Sequence, residues 1–444
     1  MSTFFSKLLT RMQARGGSPR TASAGASGRP DTGVDPAHDR HERDGFALRI
    51  RSILGAVGVV AELDGDQFAL RVGPSVVSWL GAWFDDYQHA SDDDRERIVL
   101  HAARAIVDAS RPSPVPPSLA AARPHLRPRI RLRAHLVIER LQLEADGADP
   151  DGLHAFVPVS TDLGAEVVYD TPTNIVGLPG HQLAAWGIDV DAALAIAVDN
   201  LRASAPAPFR SVGDGVFVAA AGDCYDSARM LLTDEVARLG VDGDPVALVA
   251  NRDTLVITGA DRVGGLYRLL EIALQVVERP SITLQPVTLR DGRWSEWLPP
   301  PDHPMRDAFY ELAIRTRGRS YAELKELLVE RHARHGVDLF VAPYGLFHPA
   351  DGDLSWSHAE WAPVRGWLPE SDLVSVVHPS EQRYIVVPRA TLLTVAGHLL
   401  DRVPEVHPPY DAFDGVPDED TWNRLRRHAV REGIRHPGVP GRHP

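Results

Sequence analysis

The stretch Phe156–Gly259 constrains the fold most strongly, because strand-length apolar runs alternate with helical patterns along it. PVALVA at 245–250 and TLVITG at 254–259 have the length of strands, and the polar turn Asn251–Asp253 between them predicts a β-hairpin. Residues Asp189–Ala203 form an amphipathic helical pattern with a capping aspartate at its start. This alternation predicts an α+β fold with mixed, mostly antiparallel sheets and packed helices.

A second helix is predicted in the same stretch, from Asp223 to Gly240. An aspartate at a helix start accepts hydrogen bonds from the backbone N–H groups two or three residues on, here those of Tyr225 or Asp226. If Asp223 acts only as a cap, Asp223→Ala costs about 0.5–2 kcal/mol and Asp223→Asn costs less, because the amide oxygen still accepts a hydrogen bond.

Polar residues at this helix start and at the hairpin turn form the candidate site. In one interpretation they form a capping and salt-bridge network, in which Arg229 and Arg252 pair with Asp226 and Asp253. In the other they belong to an enzyme, such as a hydrolase, that acts on a small anionic substrate. The arginines would then clamp the anion, and one of the two aspartates would act as acid or base. The sequence assigns no catalytic residue. The candidate site comprises Asp223, Tyr225, Asp226, Arg229, Asn251, Arg252 and Asp253.

Three segments of the chain carry a family resemblance. They are DTPTNIVGLPGHQLAAWGIDVDAALAIAVDNL at 170–201, GDCYDSARMLL at 222–232 and ANRDTLVITG at 250–259. Together they resemble the YtpQ-like DUF1444 (UPF0354) family of bacterial proteins, over residues 44–300. The resemblance implies a common fold unit and supplies neither an activity nor catalytic residues.

Cys224 is the only cysteine of the chain. It could be a thiolate activated at a helix N-terminus, with His154 or His181 as its base, or a small buried residue beside the cap. Within the GD-x-YDSAR motif of the resemblance we expect its position to vary, which argues against a cysteine nucleophile common to the family. A single cysteine forms no internal disulfide, which fits a reducing cytoplasm.

Composition predicts five parts along the chain. Residues 13–43 are rich in Gly, Ser, Pro, Arg and Asp, which predicts a disordered linker. Within the second part, the apolar run Pro74–Tyr87 predicts a helix, and WSEWLPPPDHP at 294–304 predicts a linker. The parts are a disordered tail (1–43), a helical and hairpin subdomain (44–145), an α+β core (146–298), a C-terminal α+β domain (305–403) and a loose tail with a short helix (404–444).

An arginine-rich segment lies toward the end of the second part. It could bind an anion, or it could be an alternating strand whose arginines answer the surplus carboxylates while Ile130 and Leu132 pack inward. The arginines concerned are Arg123, Arg127, Arg129, Arg131 and Arg133.

Charge and motifs exclude several classes of protein. The net charge is −13, so there is no overall electrostatic case for nucleic-acid binding. Lys7 and Lys325 are the only lysines, and neither lies in a phosphate-binding GxxxxGK[ST] loop. The hydrolase motif GxSxG and the dinucleotide motif GxGxxG are absent. His332 and His335 have a spacing that can share a metal on a helix, but no third ligand follows from the pattern.

The sequence therefore predicts a cytoplasmic bacterial protein that binds partners or acts as a scaffold without catalysis. We expect protein partners, no nucleic acid, no stable membrane insertion, no metal and no cofactor. The alternative is the enzyme described above.

Overall fold

The computed structural model describes residues 36–65, 68–73, 76–110, 115–145, 147, 153–171, 174–276, 282–347, 355–378, 383–404 and 406–434. The chain forms two compact units. The first to be described contains the described residues from Pro36 to His125 together with Val168–Val176, and the larger one contains Leu126–Val167 and the described residues from Gly177 onward. The fold is α+β, as predicted. The five-part division of the chain stays a prediction.

The smaller unit consists of helices packed on a three-stranded antiparallel sheet with the order β1-β2-β3. Its buried residues include Phe46, Leu54, Phe68, Leu80 and Ile106, which form one apolar core. Its elements are α1 (Pro36–Ala56), β1 (Glu62–Asp64), β2 (Ala69–Val72), β3 (Val76–Trp79), α2 (Gly81–His89), α3 (Asp92–Ala109) and α4 (Leu119–Ala122).

Two predictions for this unit are wrong in part. Helix α1 begins at Pro36, so residues 36–43 are helical rather than part of a disordered segment. The predicted helix Pro74–Tyr87 is instead strand β3 followed by helix α2. The β-branched residues at the start of β3 favour a strand, and β3 completes the sheet by pairing with β2.

In the larger unit, the first strand alternates buried and part-exposed residues along Leu126–Leu132, as predicted for the arginine-rich segment. It lies at the edge of a sheet with the order β4-β6-β5. The elements of this region are β4 (Leu126–Leu132), α5 (Arg133–Ala145), β5 (Phe156–Pro158), β6 (Leu163–Asp170), β7 (Ile175–Gly177), α6 (Gly180–Ala185) and α7 (Val190–Ser204). The end of β6 and the first two residues of β7 are counted with the smaller unit. The predicted cap of α7 is present, since Asp189 accepts a hydrogen bond from Ala192 N at 2.8 Å.

A six-stranded antiparallel sheet follows, with the order β13-β12-β10-β11-β9-β8. The predicted hairpin is its centre, and Val246–Ala250 is fully buried. One face packs on α9 and on the start of the long helix Arg306–Arg334 (α10) through Leu248, Leu266 and Phe309. Its elements are β8 (Phe209–Gly213), β9 (Val216–Ala219), α8 (Thr233–Ala237), β10 (Pro245–Asn251), β11 (Thr254–Gly259), α9 (Val263–Val276), β12 (Val287–Arg290) and β13 (Arg293–Glu296). The predicted linker 294–304 therefore begins inside a strand.

The predicted helix from Asp223 to Gly240 is wrong. The chain forms a loop at 221–226, a 3₁₀ helix at Ser227–Leu231 and the short helix α8. Residues 225–230 are buried without interruption, which no single face of an amphipathic helix allows.

The rest of the larger unit begins with the long helix α10, which ends at Arg334 as predicted. Two sheets follow, with the orders β14-β17-β21-β20 and β15-β16-β18-β19-β22. Helices α11 and α12 cover one face of the second sheet through a core that includes Trp361, Ile385 and Trp422. The elements are α10 (Arg306–Arg334), β14 (Phe340–Val341), β15 (Gly345–Phe347), β16 (Trp356–Trp361), β17 (Arg365–Pro369), β18 (Leu373–Val377), β19 (Arg383–Pro388), α11 (Arg389–Ala396), β20 (Asp401–Arg402), β21 (Tyr410–Asp414), α12 (Glu419–Arg426) and β22 (Arg431–Ile434).

Candidate functional site

The loop at 221–226 wraps around the carboxylate of Asp226. The backbone N–H groups of Ala221 and Gly222 donate to its two oxygens at 3.0 and 3.1 Å. Gly222 and Cys224 have φ angles of +66° and +67°, so two left-handed residues turn the chain tightly enough for these bonds. A buried anion is thereby held by fixed backbone donors.

Arg229 lies beneath this loop with none of its surface exposed. Its two terminal nitrogens donate to the two oxygens of Asp223 at 2.8 and 2.7 Å, in the fork geometry that favours arginine. One of them also donates to Asp226 at 3.2 Å. The terminal nitrogens of this guanidinium therefore bond to carboxylates of the protein itself.

Asp223 accepts the predicted hydrogen bond from Tyr225 N, at 3.1 Å, but it does so in a loop and not at a helix start. Partial burial opposes its ionisation, but the bonds from Arg229 outweigh that effect and lower the pKa of Asp223. Tyr225 is 4% exposed, so its ring is part of the core.

The turn of the hairpin joins this loop through the backbone. The carbonyl of Arg252 accepts a hydrogen bond from Ser227 N at 2.9 Å. At the surface, Arg252 pairs with Asp253 at 3.1 Å, and the side chain of Asn251 accepts a bond from Asp253 N at 2.9 Å. The structure thus brings the predicted residues together, and both predicted arginine–aspartate pairs form.

Cys224 is half-buried and lies in the loop. Because Ser227 begins a 3₁₀ helix and no α-helix starts at Cys224, the structure does not support the alternative in which a helix N-terminus activates this thiol. His154, one of its two predicted bases, packs instead against Gly177, where a Cβ atom would stand 2.0 Å from the imidazole Nε2.

Arginines of strand β4 bind a buried carboxylate on β6 that was not predicted from the sequence. Glu166 is fully buried, and it accepts bonds from Arg129 at 2.5 Å and Arg131 at 3.2 Å. Burial raises the pKa of Glu166, but His154 and the two arginines outweigh it and lower that pKa to about 2. Arg131 also pairs with Glu139 at 2.6 Å. Arg129 and Arg131 thus form ion pairs with carboxylates of the protein, as predicted by the interpretation of this segment as an alternating strand.

The face of the second C-terminal sheet opposite helices α11 and α12 contains a cleft of about 670 Å³ among the described residues. Phe347 and Trp356, which are register partners on β15 and β16, stack there with ring centroids 4.6 Å apart. Leu373 and Val386 add apolar surface, and Arg431 of β22 lies among the lining residues.

A polar pair lies within the same cleft. The Nε2 atom of His358 and the hydroxyl oxygen of Ser375 are 2.8 Å apart, and Ser375 is 2% exposed. Both residues lie on the middle strands of the sheet. Neither was singled out in the sequence, because their proximity depends on the parallel register of β16 and β18, between strands with no distinguishing motif.

Among the described residues, no group of three or more His, Cys, Asp or Glu side chains is placed to hold a metal ion. His332 stacks edge-on against Trp367 at 5.0 Å, and His335 is the C-cap of α10. In the same part of the chain, no helix is long and apolar enough to cross a bilayer.

No family model, no curated protein and no solved structure matches this chain. The resemblance to the DUF1444 family therefore stays a prediction, and the geometry of the two regions described above carries the functional argument.

Proposed function

We propose that this chain is a non-catalytic, cytoplasmic binding or scaffold protein of the DUF1444 type. The observation that carries the proposal is the burial of Arg229, whose charge is taken up by Asp223 and Asp226. An arginine with no exposed surface does not reach a substrate anion. In this proposal the cluster stabilises the loop and the hairpin, and partner binding takes place elsewhere on the chain.

The His358–Ser375 pair also fits a non-catalytic role. Ser375 is in the middle of β18, which is paired on one side with β16 and on the other with β19. Its backbone groups serve the sheet, whereas a serine nucleophile needs free N–H donors beside it to stabilise the oxyanion. The pair is suited to orienting a bound molecule.

The alternative function is an enzyme that acts on a small anionic substrate through the Asp/Arg cluster. Arg252 is the observation in its favour, because its side chain is 61% exposed. Arg252 pairs with the exposed Asp253, and such exposed pairs contribute only about 0–1 kcal/mol. An anion could therefore take the place of the Asp253 carboxylate.

Phosphate titration separates the two functions. A phosphate site with a dissociation constant of about 0.1 mM would stabilise the protein by about 2.7 kcal/mol at about 10 mM phosphate. We expect no stabilisation beyond that of a chloride control at equal ionic strength. Arg252→Gln should behave like Arg238→Gln, a matched change at another exposed, paired arginine. Saturable stabilisation that is lost only in Arg252→Gln would favour the enzyme.

The proposed partners are proteins. The net charge of −13 supports the exclusion of nucleic acid, because a polyanion is repelled by such a surface.

A further inference from the structure

The size and lining of the C-terminal cleft are those of a small-molecule site. Such sites typically have volumes of roughly 300–1,000 Å³, with apolar walls and a few placed polar groups. The cleft of about 670 Å³ lies within this range, and its polar groups are few. The geometry points to a site for a small aromatic or aliphatic carboxylate. This inference rests on the proposed binding function and names a ligand class for it.

The apolar part of such a ligand would lie against the stacked pair Phe347 and Trp356. Their rings are 26° from parallel and form a broad apolar wall at the edge of the sheet. Aromatic faces bind flat rings and alkyl chains with little loss of side-chain entropy, because each ring has only two rotatable bonds.

The charged part would lie at Arg431. Among the described residues that line the cleft, Arg431 alone has a permanent charge, and it is exposed. Within the part of the chain that the structure describes, it has no ion-pair partner. A guanidinium donates two parallel hydrogen bonds to a carboxylate, so this residue selects an anion over a neutral molecule of the same shape.

The polar pair completes the site. The His358–Ser375 pair lies among the apolar walls, and a buried polar group favours ligands that can hydrogen-bond to it. A carboxylate ligand with a second polar atom near its apolar end would use both groups. Specificity would then come from Arg431 at one end and from this pair at the other.

Calorimetric titration of the full chain with 2-naphthoate and 2-naphthamide tests the inference. The two probes share one ring system and differ in charge. We expect 2-naphthoate to bind at least tenfold more tightly, which corresponds to about 1.4 kcal/mol. Arg431→Gln should remove this difference, whereas Arg365→Gln, a change at an exposed arginine outside the cleft, should leave it intact.

A second pair of variants tests the charge of the cleft at another exposed residue, Val430. Val430 lines the cleft but is 61% exposed, so its replacement leaves the core unchanged. Val430→Glu places a negative charge in the cleft and should weaken 2-naphthoate about tenfold. Val430→Gln, of similar shape, should weaken it much less.

Equal affinity for the two probes, binding to neither, or no effect of Arg431→Gln would each overturn the ligand class. These results concern the cleft alone, so they leave the outcome of the phosphate titration, which tests the Asp/Arg cluster, unaffected. Mass spectrometry of the 2-naphthamide sample gives a separate readout. Its conversion to 2-naphthoate and ammonia by the wild type, and not by Val430→Glu, would contradict the non-catalytic function and place the reaction in the cleft.

Discussion

Arg229 has no exposed surface, so its charge must be balanced inside the protein. Asp223 and Asp226 provide that balance, and Asp226 is in turn held by two backbone N–H groups. A buried pair of this kind adds little stability over an apolar alternative, but the loss of one partner leaves the other unpaired. Each carboxylate is therefore needed to balance Arg229 and to hold the loop in its form.

Removal of these charges should be costly even when shape is kept. We expect Asp226→Asn to lower the free energy of unfolding by about 3–5 kcal/mol, because it leaves Arg229 and the loop N–H groups short of an acceptor. Asp223→Asn should cost about 1–2 kcal/mol, less because Asp223 is partly exposed. Urea unfolding curves measure both.

Asp253→Asn is the matched control at an exposed pair, with an expected cost below about 1 kcal/mol. The ranking Asp226 > Asp223 > Asp253 distinguishes the network from a helix cap, for which Asp223→Asn would be nearly harmless. An Asp226→Asn protein as stable as the wild type would contradict it.

At the scale of the element, the hairpin at 245–259 could be predicted from the sequence because its length, apolar content and turn residues all agree. The predicted helix from Asp223 could not be corrected from the sequence. Asp226, Ser227 and Arg229 look like residues of an exposed helix face, yet all three are buried. Arg229 donates to Asp226, Asp226 accepts bonds from the loop, and Ser227 N donates to the hairpin turn. The sequence gives the identity of these side chains, but it does not show which of them form hydrogen bonds with one another in the folded protein.

The candidate residues were brought together as predicted, since the segment at 223–229 bonds to the turn of the hairpin at 251–253. The cleft and Glu166 were not predicted. Both depend on strand register between segments far apart in the chain, such as Arg129 and Glu166, and a one-residue slip would turn either side chain to the opposite face.

The sheet of β4, β5 and β6 should lose stability in acid because of Glu166. Its folded-state pKa of about 2 is below its ordinary value of 4.5. A lowered carboxyl pKa adds stability that is present above the ordinary value and disappears as the pH falls through the folded value. We expect a loss of about 3 kcal/mol between about pH 4.5 and 2 from this group.

Glu166→Gln isolates this effect. The variant should be less stable at pH 7, because Arg129 and Arg131 lose their charged partner. The difference in unfolding free energy between the wild type and the variant should then shrink as the pH falls below about 4.5, whatever the other carboxylates contribute. A difference that stays constant with pH would show that Glu166 has an ordinary pKa.

At the scale of the molecule, arginine rather than lysine pairs with buried carboxylates, because the chain has only two lysines. Arg229 and Arg389 are both buried with aspartate partners. The planar guanidinium suits such sites because it makes several hydrogen bonds in a fixed geometry.

Brief digestion with proteinase K, followed by mass spectrometry, should report the order in which segments open. We expect the first cuts between residues 13 and 35, a segment that lies outside the described residues, because its composition predicts no packing and helix α1 begins at Pro36. The next cuts should fall at 299–304, where Pro300, Pro301 and Asp302 are exposed.

The hairpin at 245–259 should resist, although Arg252 at its turn is exposed. A protease needs an extended segment in its active site, so cleavage of this turn requires Val246–Ala250 to leave the core, which approaches the cost of global unfolding. In about 6 M urea the same site should be cut at once, which serves as the control for protease specificity. Early cleavage within 215–260 under native conditions would mean that the central sheet opens locally, and the Asp/Arg network would then fail to hold the loop to the hairpin.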